Sequence, residues 1–222
     1  MFRDFHVLVD YRGDIFHGLL LTFYTWLASV VVGLAIGLLI AASRQRLPRL
    51  LALAIDGYIG IFRGTPFLIQ LFLLYYGGPF IGLSLPPITA GIVGLSLYAS
   101  AYFAEIFRSG LMAIPPGQTE AAIVCGLTRT QTLFRIQIPQ MLIVIFPSLM
   151  NMVIILLKET AVLSVITVSE LTATLSNIGS VTFAYVPTLA FLALFYWLSL
   201  ELLSSIGLAV EKRVNSYITS QE

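Results

Sequence analysis

Residues 19–42 read LLLTFYTWLASVVVGLAIGLLIAA, a run without a single charged side chain. A helix needs about 20 mostly apolar residues to cross the hydrocarbon core of a bilayer, so this run predicts a membrane-spanning helix. Ser29, Gly33, Gly37 and Ala41 recur at four-residue spacing and form one stripe of small residues. Such a stripe is typical of a face on which a second helix packs closely, although small residues are common in membrane helices in general.

The rest of the chain shares this apolar character. Of its 222 residues, 58% are hydrophobic and only 10% are charged, whereas about 25% are charged in a typical soluble domain. The mean hydropathy is +0.94. This composition leaves too little polar surface for a water-soluble globule, and the length predicts a single transmembrane domain over residues 1–222.

Four further spans are predicted. They cover residues 67–76, 88–107, 141–157 and 187–209. We interpret residues 50–62 as a helix near the membrane interface that leads into the second span, because it contains Asp56 and is followed by the interruption Arg63-Gly64-Thr65-Pro66. Residues 158–186 form a moderately polar excursion. The sequence therefore predicts an all-α integral membrane protein with five transmembrane helices.

Most basic residues lie on one side of this five-span arrangement. They follow the first, third and fifth spans: Arg44, Arg46, Arg49, Arg108, Arg129, Arg135, Lys212 and Arg213. Arg3 and Arg12 are the exception, and three aspartates accompany them. Lys and Arg favour the cytoplasmic side of a membrane, so we expect the N-terminus outside and the C-terminus in the cytoplasm. The first residues are charged and lack an early apolar core, so no cleavable signal peptide is expected.

The stretch 108–140 is too polar to lie in hydrocarbon and too short to form another domain. The segment around Glu120 has a helical composition, and the helix dipole favours an acid near the start of a helix. Gly126 suits the left-handed conformation that ends a helix, Thr128 and Thr130 are available N-caps for the second helix, and Pro139 opens the next span. We predict two short helices joined by a turn, a cytoplasmic projection suited to docking another protein.

Side chains that carry catalytic or metal chemistry are scarce. Cys125 is the only cysteine, and His6 and His17 are the only histidines, which excludes an intramolecular disulfide and argues against a metal site. The chain contains no phosphate-binding loop of the type Gly-x-x-x-x-Gly-Lys-Ser/Thr. The net charge of +1 gives no reason to expect a nucleic acid as partner. We expect no catalytic residue and no metal.

Several motifs in a set order resemble permease subunits of bacterial ABC importers, in particular the polar amino-acid subfamily of histidine, glutamine and arginine uptake systems. Glu120-Ala121-Ala122, followed by Gly126 and by Ile138-Pro139, resembles the EAA loop of these permeases. The resemblance covers nearly the whole chain. Its other motifs are Phe62-Arg63-Gly64-Thr65-Pro66, Gln70-Leu71-Phe72-Leu73-Leu74-Tyr75-Tyr76-Gly77, Ser96-Leu97-Tyr98, Ala101-Tyr102, Ala104-Glu105-Ile106-Phe107-Arg108 and Leu157-Lys158-Glu159-Thr160. Glu159 and Ala161 depart from the Lys-Asp-Thr-Ser that is common there.

The resemblance implies the Type I ABC importer permease fold with a cytoplasmic coupling helix. The residues implied in coupling to separate ATPase subunits are Glu120, Ala121, Ala122, Gly126 and Pro139. The chain itself would hold no cofactor, since ATP and Mg²⁺ bind to the ATPase. A second permease chain, identical or a sister, would complete the pathway. An extracytoplasmic binding protein would deliver an amino acid, and the location would be the bacterial cytoplasmic (inner) membrane.

Polar side chains at membrane depth usually face a cavity or a partner. Candidates for the substrate pathway on this ground are Arg63, Thr65, Gln70, Tyr98, Tyr102 and Glu159. For Arg63 the alternative is snorkelling toward the cytoplasmic surface, and for the two tyrosines it is aromatic packing. Lys158 and Glu159 together suit the carboxylate and ammonium groups of an amino acid. Glu105 and Arg108 share a helix face and are expected to pair.

Two other classes of function compete with an ATP-driven importer subunit. A secondary transporter usually shows internal repeats with paired broken helices; five spans show no such duplication, although dimerisation would supply a second half. A membrane enzyme would need converging acids, histidines or metal ligands, which these spans lack. Copurification of a soluble ATPase distinguishes the importer subunit from the secondary transporter.

Overall fold

The computed structural model describes residues 6–44 and 47–219, and every element in these ranges is helical. The α-helices are α1 (His6–Asp10), α2 (Arg12–Arg44), α3 (Arg49–Gly64), α4 (Phe67–Phe72), α5 (Pro87–Met112), α6 (Pro116–Val124), α7 (Arg129–Thr132), α8 (Ile138–Glu159), α9 (Leu171–Thr182) and α10 (Tyr185–Thr219). Two π turns, Leu73–Gly77 and Leu133–Gln137, and two 3-10 segments, Gly78–Ile81 and Thr160–Ile166, connect some of them.

Four stretches of the described chain are long and apolar enough to cross a membrane without interruption. They are Arg12–Arg44, Pro87–Met112, Arg129–Ile166 and Tyr185–Arg213. The remaining predicted span is a bent pair, because Arg49–Gly64 and Phe67–Ile81 meet at 113° and qualify only together. The all-α membrane fold is confirmed, and its second span is a broken helix.

The predicted stripe of small residues on α2 is a packing face. A Cβ atom on Gly33 would lie 2.7 Å from the Cβ of Ala99, and one on Gly37 would lie 2.7 Å from the Cβ of Phe103. Both neighbours belong to α5, so α2 and α5 run side by side in the same direction. Their N-termini lie together near α9 and their C-termini near α6, and we call these the α9 end and the α6 end of the bundle.

The core of the bundle lies where α5 packs against α2, α4 and α8. Its fully buried side chains include Leu71, Leu95, Phe103, Leu156 and Leu163. In contrast, α10 packs mainly on α8 and α9, with one aromatic contact from Phe195 to Phe23 of α2, and many of its large apolar side chains are exposed. Those exposed apolar side chains suit contact with lipid or with another apolar surface rather than with water.

The predicted boundary at Pro139 needs a correction. The sequence suggested a separate short helix after Thr128 and a new span opening at Pro139, but the helix runs on from Arg129 to Ile166. A proline ring normally clashes with the carbonyl four residues before it. The π turn Leu133–Gln137 widens the helix just before Pro139, which lets the helix continue past the proline.

The stretch 158–186 is more ordered and more buried than the predicted polar excursion. It contains the 3-10 segment Thr160–Ile166 and α9, whose buried apolar side chains pack with Ile15 of α2 in a second small core. Thr167 takes a left-handed conformation (φ +63°) where the 3-10 segment ends. Helix α9 thereby folds back between α2 and α10.

Glu170 fixes the start of α9. Its carboxylate accepts hydrogen bonds from the backbone N–H groups of Thr172 (2.9 Å) and Ala173 (2.8 Å), as an N-cap residue does. The hydroxyl of Thr22 on α2 accepts one from the N–H of Leu171 (3.0 Å) and lies 3.5 Å from the Glu170 carboxylate. Burial raises the pKa of Glu170 to about 7, although these hydrogen bonds oppose the rise.

The close approach of α2 and α5 predicts that Gly37→Ala destabilises the protein. The added Cβ would lie 3.0 Å from backbone atoms of Ser100 and Ala104, which cannot turn away, so we expect a loss of about 1–3 kcal/mol. Gly60→Ala is the matched control, because the described residues leave open space around Gly60. The measurement is the thermal unfolding midpoint in detergent; equal midpoints for the two variants would contradict the packing argument.

The raised pKa of Glu170 predicts that the stability of the protein depends on pH. Because its folded-state pKa of about 7 exceeds the ordinary value of 4.5, the folded state binds more protons between these values, and stability falls as the pH rises through them. We expect wild type to lose about 1–3 kcal/mol over this range relative to Glu170→Gln. Thermal unfolding of both proteins across this pH range measures the difference. Parallel pH profiles would contradict it.

Candidate coupling surface and translocation pathway

Helix α6 carries the Glu-Ala-Ala motif, and a turn follows its end, as the sequence predicted. Gly126 follows its end with φ +80°, a left-handed conformation, and the N–H of Leu127 bonds to the carbonyl of Ala122 at 3.0 Å. Thr128 then forms a capping box, since its hydroxyl accepts from the N–H of Gln131 and its own N–H donates to the side chain of Gln131. The predicted turn at Gly126 and N-cap at Thr128 are therefore confirmed.

The predicted coupling residues take different positions around α6. Glu120, Ala121 and Gly126 are exposed, whereas Ala122 is buried. Pro139 is exposed on the helix that follows. Beside them lie three exposed apolar side chains, Ile123, Val124 and Phe134, with Val124 at 87% exposure, and a groove of 440 Å³ between α6 and residues 129–137. We call this face, which consists of α6 and residues 129–137, the coupling surface.

Two glutamines tie α6 to the start of α8. Gln137 donates from Nε2 to the Thr119 hydroxyl at 2.9 Å, and Gln140 donates from Nε2 to the Gln118 side chain at 3.5 Å. From there α8 continues as one helix to Glu159, so α6 is hydrogen-bonded to the helix that carries Glu159.

Arg63 is turned toward α5. Its guanidinium lies 5.5 Å from the ring centroid of Tyr102, and its Nη1 lies 3.8 Å from the Glu105 carboxylate. The predicted pair of Glu105 and Arg108 is present, with Nε of Arg108 donating at 2.8 Å. Glu105 is thus held mainly by Arg108, and Arg63 keeps guanidinium donors for another acceptor.

Tyr98 and Tyr102 join Arg63 to Glu159. The two tyrosine rings lie 4.9 Å apart between centroids. The half-buried carboxylate of Glu159 lies within electrostatic range of Tyr98. Lys158 points elsewhere and is exposed. The structure therefore brings four of the six predicted pathway residues into one row, which runs from the end of α3 across α5 to the end of α8.

Thr65 and Gln70, the other two, lie at the break between α3 and α4. The Nε2 atom of Gln70 has three acceptors in range: the carbonyls of Phe62 (2.9 Å) and Thr65 (3.0 Å) and the hydroxyl of Thr65 (2.8 Å). The Thr65 hydroxyl also donates to the carbonyl of Ile61 at 2.8 Å. The amide nitrogen of Gln70 and the hydroxyl of Thr65 are thus both engaged with the break itself.

Sequence reasoning missed the polar contacts that hold α3 in place. The Tyr58 hydroxyl lies 2.6 Å from both the Leu97 carbonyl and the Ser100 hydroxyl of α5, and Arg44 pairs with Asp56 through Nε at 2.8 Å. The charge of Asp56 within an apolar stretch was the available signal, because a charge at that depth requires a partner.

The described residues contain no group of three or more His, Cys, Asp or Glu side chains that is arranged to hold a metal ion.

Comparison with known proteins agrees with this architecture. The family model described as "Binding-protein-dependent transport system inner membrane component" matches residues 33–216. The chain belongs to this family. It is a membrane permease subunit rather than an enzyme, and ATP hydrolysis takes place on a separate subunit.

Individual permeases are similar over nearly their full length. The arginine transport system permease protein ArtQ of Bacillus subtilis (strain 168) is 32% identical over 96% of this chain and 98% of that protein. The L-cystine transport system permease protein TcyB of the same organism is 33% identical over 93% and 87%. A solved structure titled "Crystal structure of an amino acid ABC transporter with histidines" matches with a TM-score of 0.88 and 36% identity over 94% of this chain and 98% of that one.

The turn at Gly126 predicts that Gly126→Ala uncouples the permease. An alanine at φ +80° is strained by about 1–2 kcal/mol, which displaces α6 relative to the following helix. Gly82→Ala is the matched control, because Gly82 has the same left-handed conformation (φ +81°), has open space around it among the described residues and lies outside the coupling surface. We expect ATP-driven uptake to fall in the first variant only. Equal uptake by both would contradict the assignment of the turn.

Proposed function

We propose that this chain forms the translocation pathway of an ATP-driven importer for a polar amino acid. In this proposal Arg63, Tyr98, Tyr102 and Glu159 face the substrate. The observation that carries it is their arrangement in one row, with a guanidinium from the broken second span at one end and a carboxylate from α8 at the other. Thr65 and Gln70 support the break beside Arg63.

This row matches the chemistry of an amino acid. A guanidinium binds a carboxylate through strong charge-assisted hydrogen bonds, and a carboxylate binds an ammonium group. The faces of two tyrosines attract a cation that passes between these ends. The similar permeases named for arginine and L-cystine, and the structure whose title names histidines, support an amino acid as substrate. A side chain with a positive charge would find Glu159 as its counter-charge.

The coupling surface is proposed to dock a separate ATPase that binds ATP and Mg²⁺, while this chain holds no cofactor. Glu120, Ala121, Ala122 and Gly126 would form the contact, with Pro139 at the start of the responding helix. Exposed apolar side chains beside an exposed acid suit a protein interface. Because α6 is bonded to the start of α8, closure of the ATPase would shift the helix that carries Glu159.

We propose that the α6 end is cytoplasmic and the α9 end extracytoplasmic, in the bacterial inner membrane. The basic residues at the ends of α2 and α5 support this orientation. At the α9 end, an open polar cavity of 690 Å³ is lined by side chains of α2, α9 and the 3-10 segment, among them Asp14, His17 and Asn177. The binding protein that the family description implies would deliver the amino acid on this side.

A second permease chain, identical or a sister, is proposed to close the other side of the pathway. Within the described chain, the Arg63 side chain at one end of this row is 42% exposed. A substrate held there needs a second wall, because a charged solute cannot face lipid.

Uptake into proteoliposomes tests the proposal. The chain is reconstituted with the ATPase that copurifies from native membranes, the cognate binding protein is added, and basic, acidic and neutral labelled amino acids are offered. We expect ATP-dependent accumulation of one class. Transport without ATP, or transport that follows an ion gradient, would instead identify a secondary transporter.

A substitution at Glu159 tests the proposed role of this residue in the pathway. Glu159→Gln removes the carboxylate charge, and we expect uptake to fall by about ten-fold or more, the size of a lost charge contact of roughly 1.4 kcal/mol or more. Glu201→Gln, on the exposed face of α10, is the matched control and should transport normally. Equal uptake by the two variants would remove Glu159 from the pathway.

A further inference from the structure

The break between α3 and α4 leaves backbone carbonyls without their helical partners. In a continuous helix the carbonyl of Phe62 would accept a hydrogen bond from the N–H of residue 66. That residue is Pro66, which has no N–H. The carbonyl of Thr65 is likewise outside the regular ladder, since α4 starts with bonds from Ile69 and Gln70 to the Pro66 carbonyl. Each of these carbonyls needs a donor from elsewhere, because an unpaired backbone polar group is costly.

The side chain of Gln70 supplies the hydrogen-bond donor that Pro66 lacks. Its Nε2 atom lies 2.9 Å from the Phe62 carbonyl and 3.0 Å from the Thr65 carbonyl, with the Thr65 hydroxyl a third acceptor at 2.8 Å. One amide thus bonds to the chain on both sides of the pair Arg63-Gly64. The 113° bend between the two helices is held by this contact.

The orientation of the Gln70 amide follows from its neighbours. A reversed amide would put Oε1 against three oxygen acceptors, so Nε2 must face the break. Oε1 is then buried without a hydrogen-bond partner among the described residues, beside an apolar cavity of 440 Å³ between α4 and α5. Buried polar atoms are rarely left unpaired. Here the amide orientation that pairs Nε2 with the carbonyls at the break leaves Oε1 unpaired.

Arg63 depends on the backbone that Gln70 holds. Its guanidinium has only long contacts within the described chain, 5.5 Å to the Tyr102 ring centroid and 3.8 Å to the Glu105 carboxylate. A long side chain with weak contacts takes its direction largely from its own backbone. Gly64, which follows it, has no Cβ and does not restrict that backbone.

We propose that Gln70 is a positioning residue for transport: it holds the end of α3 and thereby aims Arg63 along the row to Tyr102. Gln70 itself does not contact the substrate. This inference rests on the proposed function, in which Arg63 binds the carboxylate of the amino acid.

The principal test variant is Gln70→Met, which keeps the length of the side chain and removes its donor. We expect uptake into proteoliposomes at saturating binding protein to fall by about ten-fold, a size typical of a small displacement of a positioned group. Ile69→Met is the matched control, because Ile69 is the neighbouring residue on α4 and is 48% exposed. It should transport as wild type does.

A double-mutant cycle with Arg63→Lys separates positioning from stability. If Gln70 acts through Arg63, adding Gln70→Met to Arg63→Lys lowers uptake by less than about two-fold further, since there is no longer a guanidinium to aim. A purely structural role predicts the same fold loss in both backgrounds. That result, or normal uptake by Gln70→Met alone, would overturn the inference.

A second variant keeps the test decisive if Gln70→Met does not reach the membrane. Thr65→Val removes only the hydroxyl acceptor and leaves both carbonyls to Gln70, so we expect a loss of about two-fold that also disappears in the Arg63→Lys background. Equal losses in the two backgrounds would again overturn it.

Arg63→Met distinguishes failure of this inference from failure of the proposed function. Normal uptake by Arg63→Met would refute the role of Arg63 and the positioning role of Gln70 together. Loss of uptake by Arg63→Met, with normal uptake by Gln70→Met, would refute the positioning role alone.

Discussion

A backbone carbonyl inside a bilayer must find its donor within the protein, because the hydrocarbon offers none. The structure meets this constraint at the broken second span, where Gln70 donates to the Phe62 carbonyl. Tyr58 and Trp26 donate to the Leu97 and Val153 carbonyls of continuous helices, and these two contacts fasten one helix to another. The scarce polar side chains thus support irregular backbone at the break and hold helices together elsewhere.

That break brings the side chain of Arg63 against α5. In a straight helix from residue 49 to residue 81, the side chain of Arg63 would stay on one face of the helix at one depth in the membrane. The 113° bend instead brings the end of α3 against α5. There the guanidinium meets the two tyrosines of α5, and Glu159 of α8 completes the row. The proposed amino-acid pathway thus depends on one local failure of helical hydrogen bonding.

The proposed coupling to the ATPase depends on a continuous helix rather than on a broken one. The helix from Arg129 to Ile166 is uninterrupted although it contains two prolines, and the π turn before Pro139 lets it pass the first of them. The same helix donates hydrogen bonds to α6 at its start and carries Glu159 near its end. The proposed docking surface and the proposed substrate contact at Glu159 are therefore joined by one continuous helix, whereas Arg63 approaches from a separate one.

The sequence by itself determined the membrane class, the helical fold, the packing stripe of Gly33 and Gly37, and the turn at Gly126, because each depends on local composition or on one residue's own conformation. It also indicated which polar side chains lie at depth. Only the tertiary structure decided their roles. Gln70 and Arg63 look alike in sequence as polar residues in an apolar stretch, but Gln70 faces backbone carbonyls and Arg63 faces Tyr102. Hydrogen-bond partners distant along the chain, such as Thr22 for Leu171, are set by how the helices pack, and no local pattern encodes them.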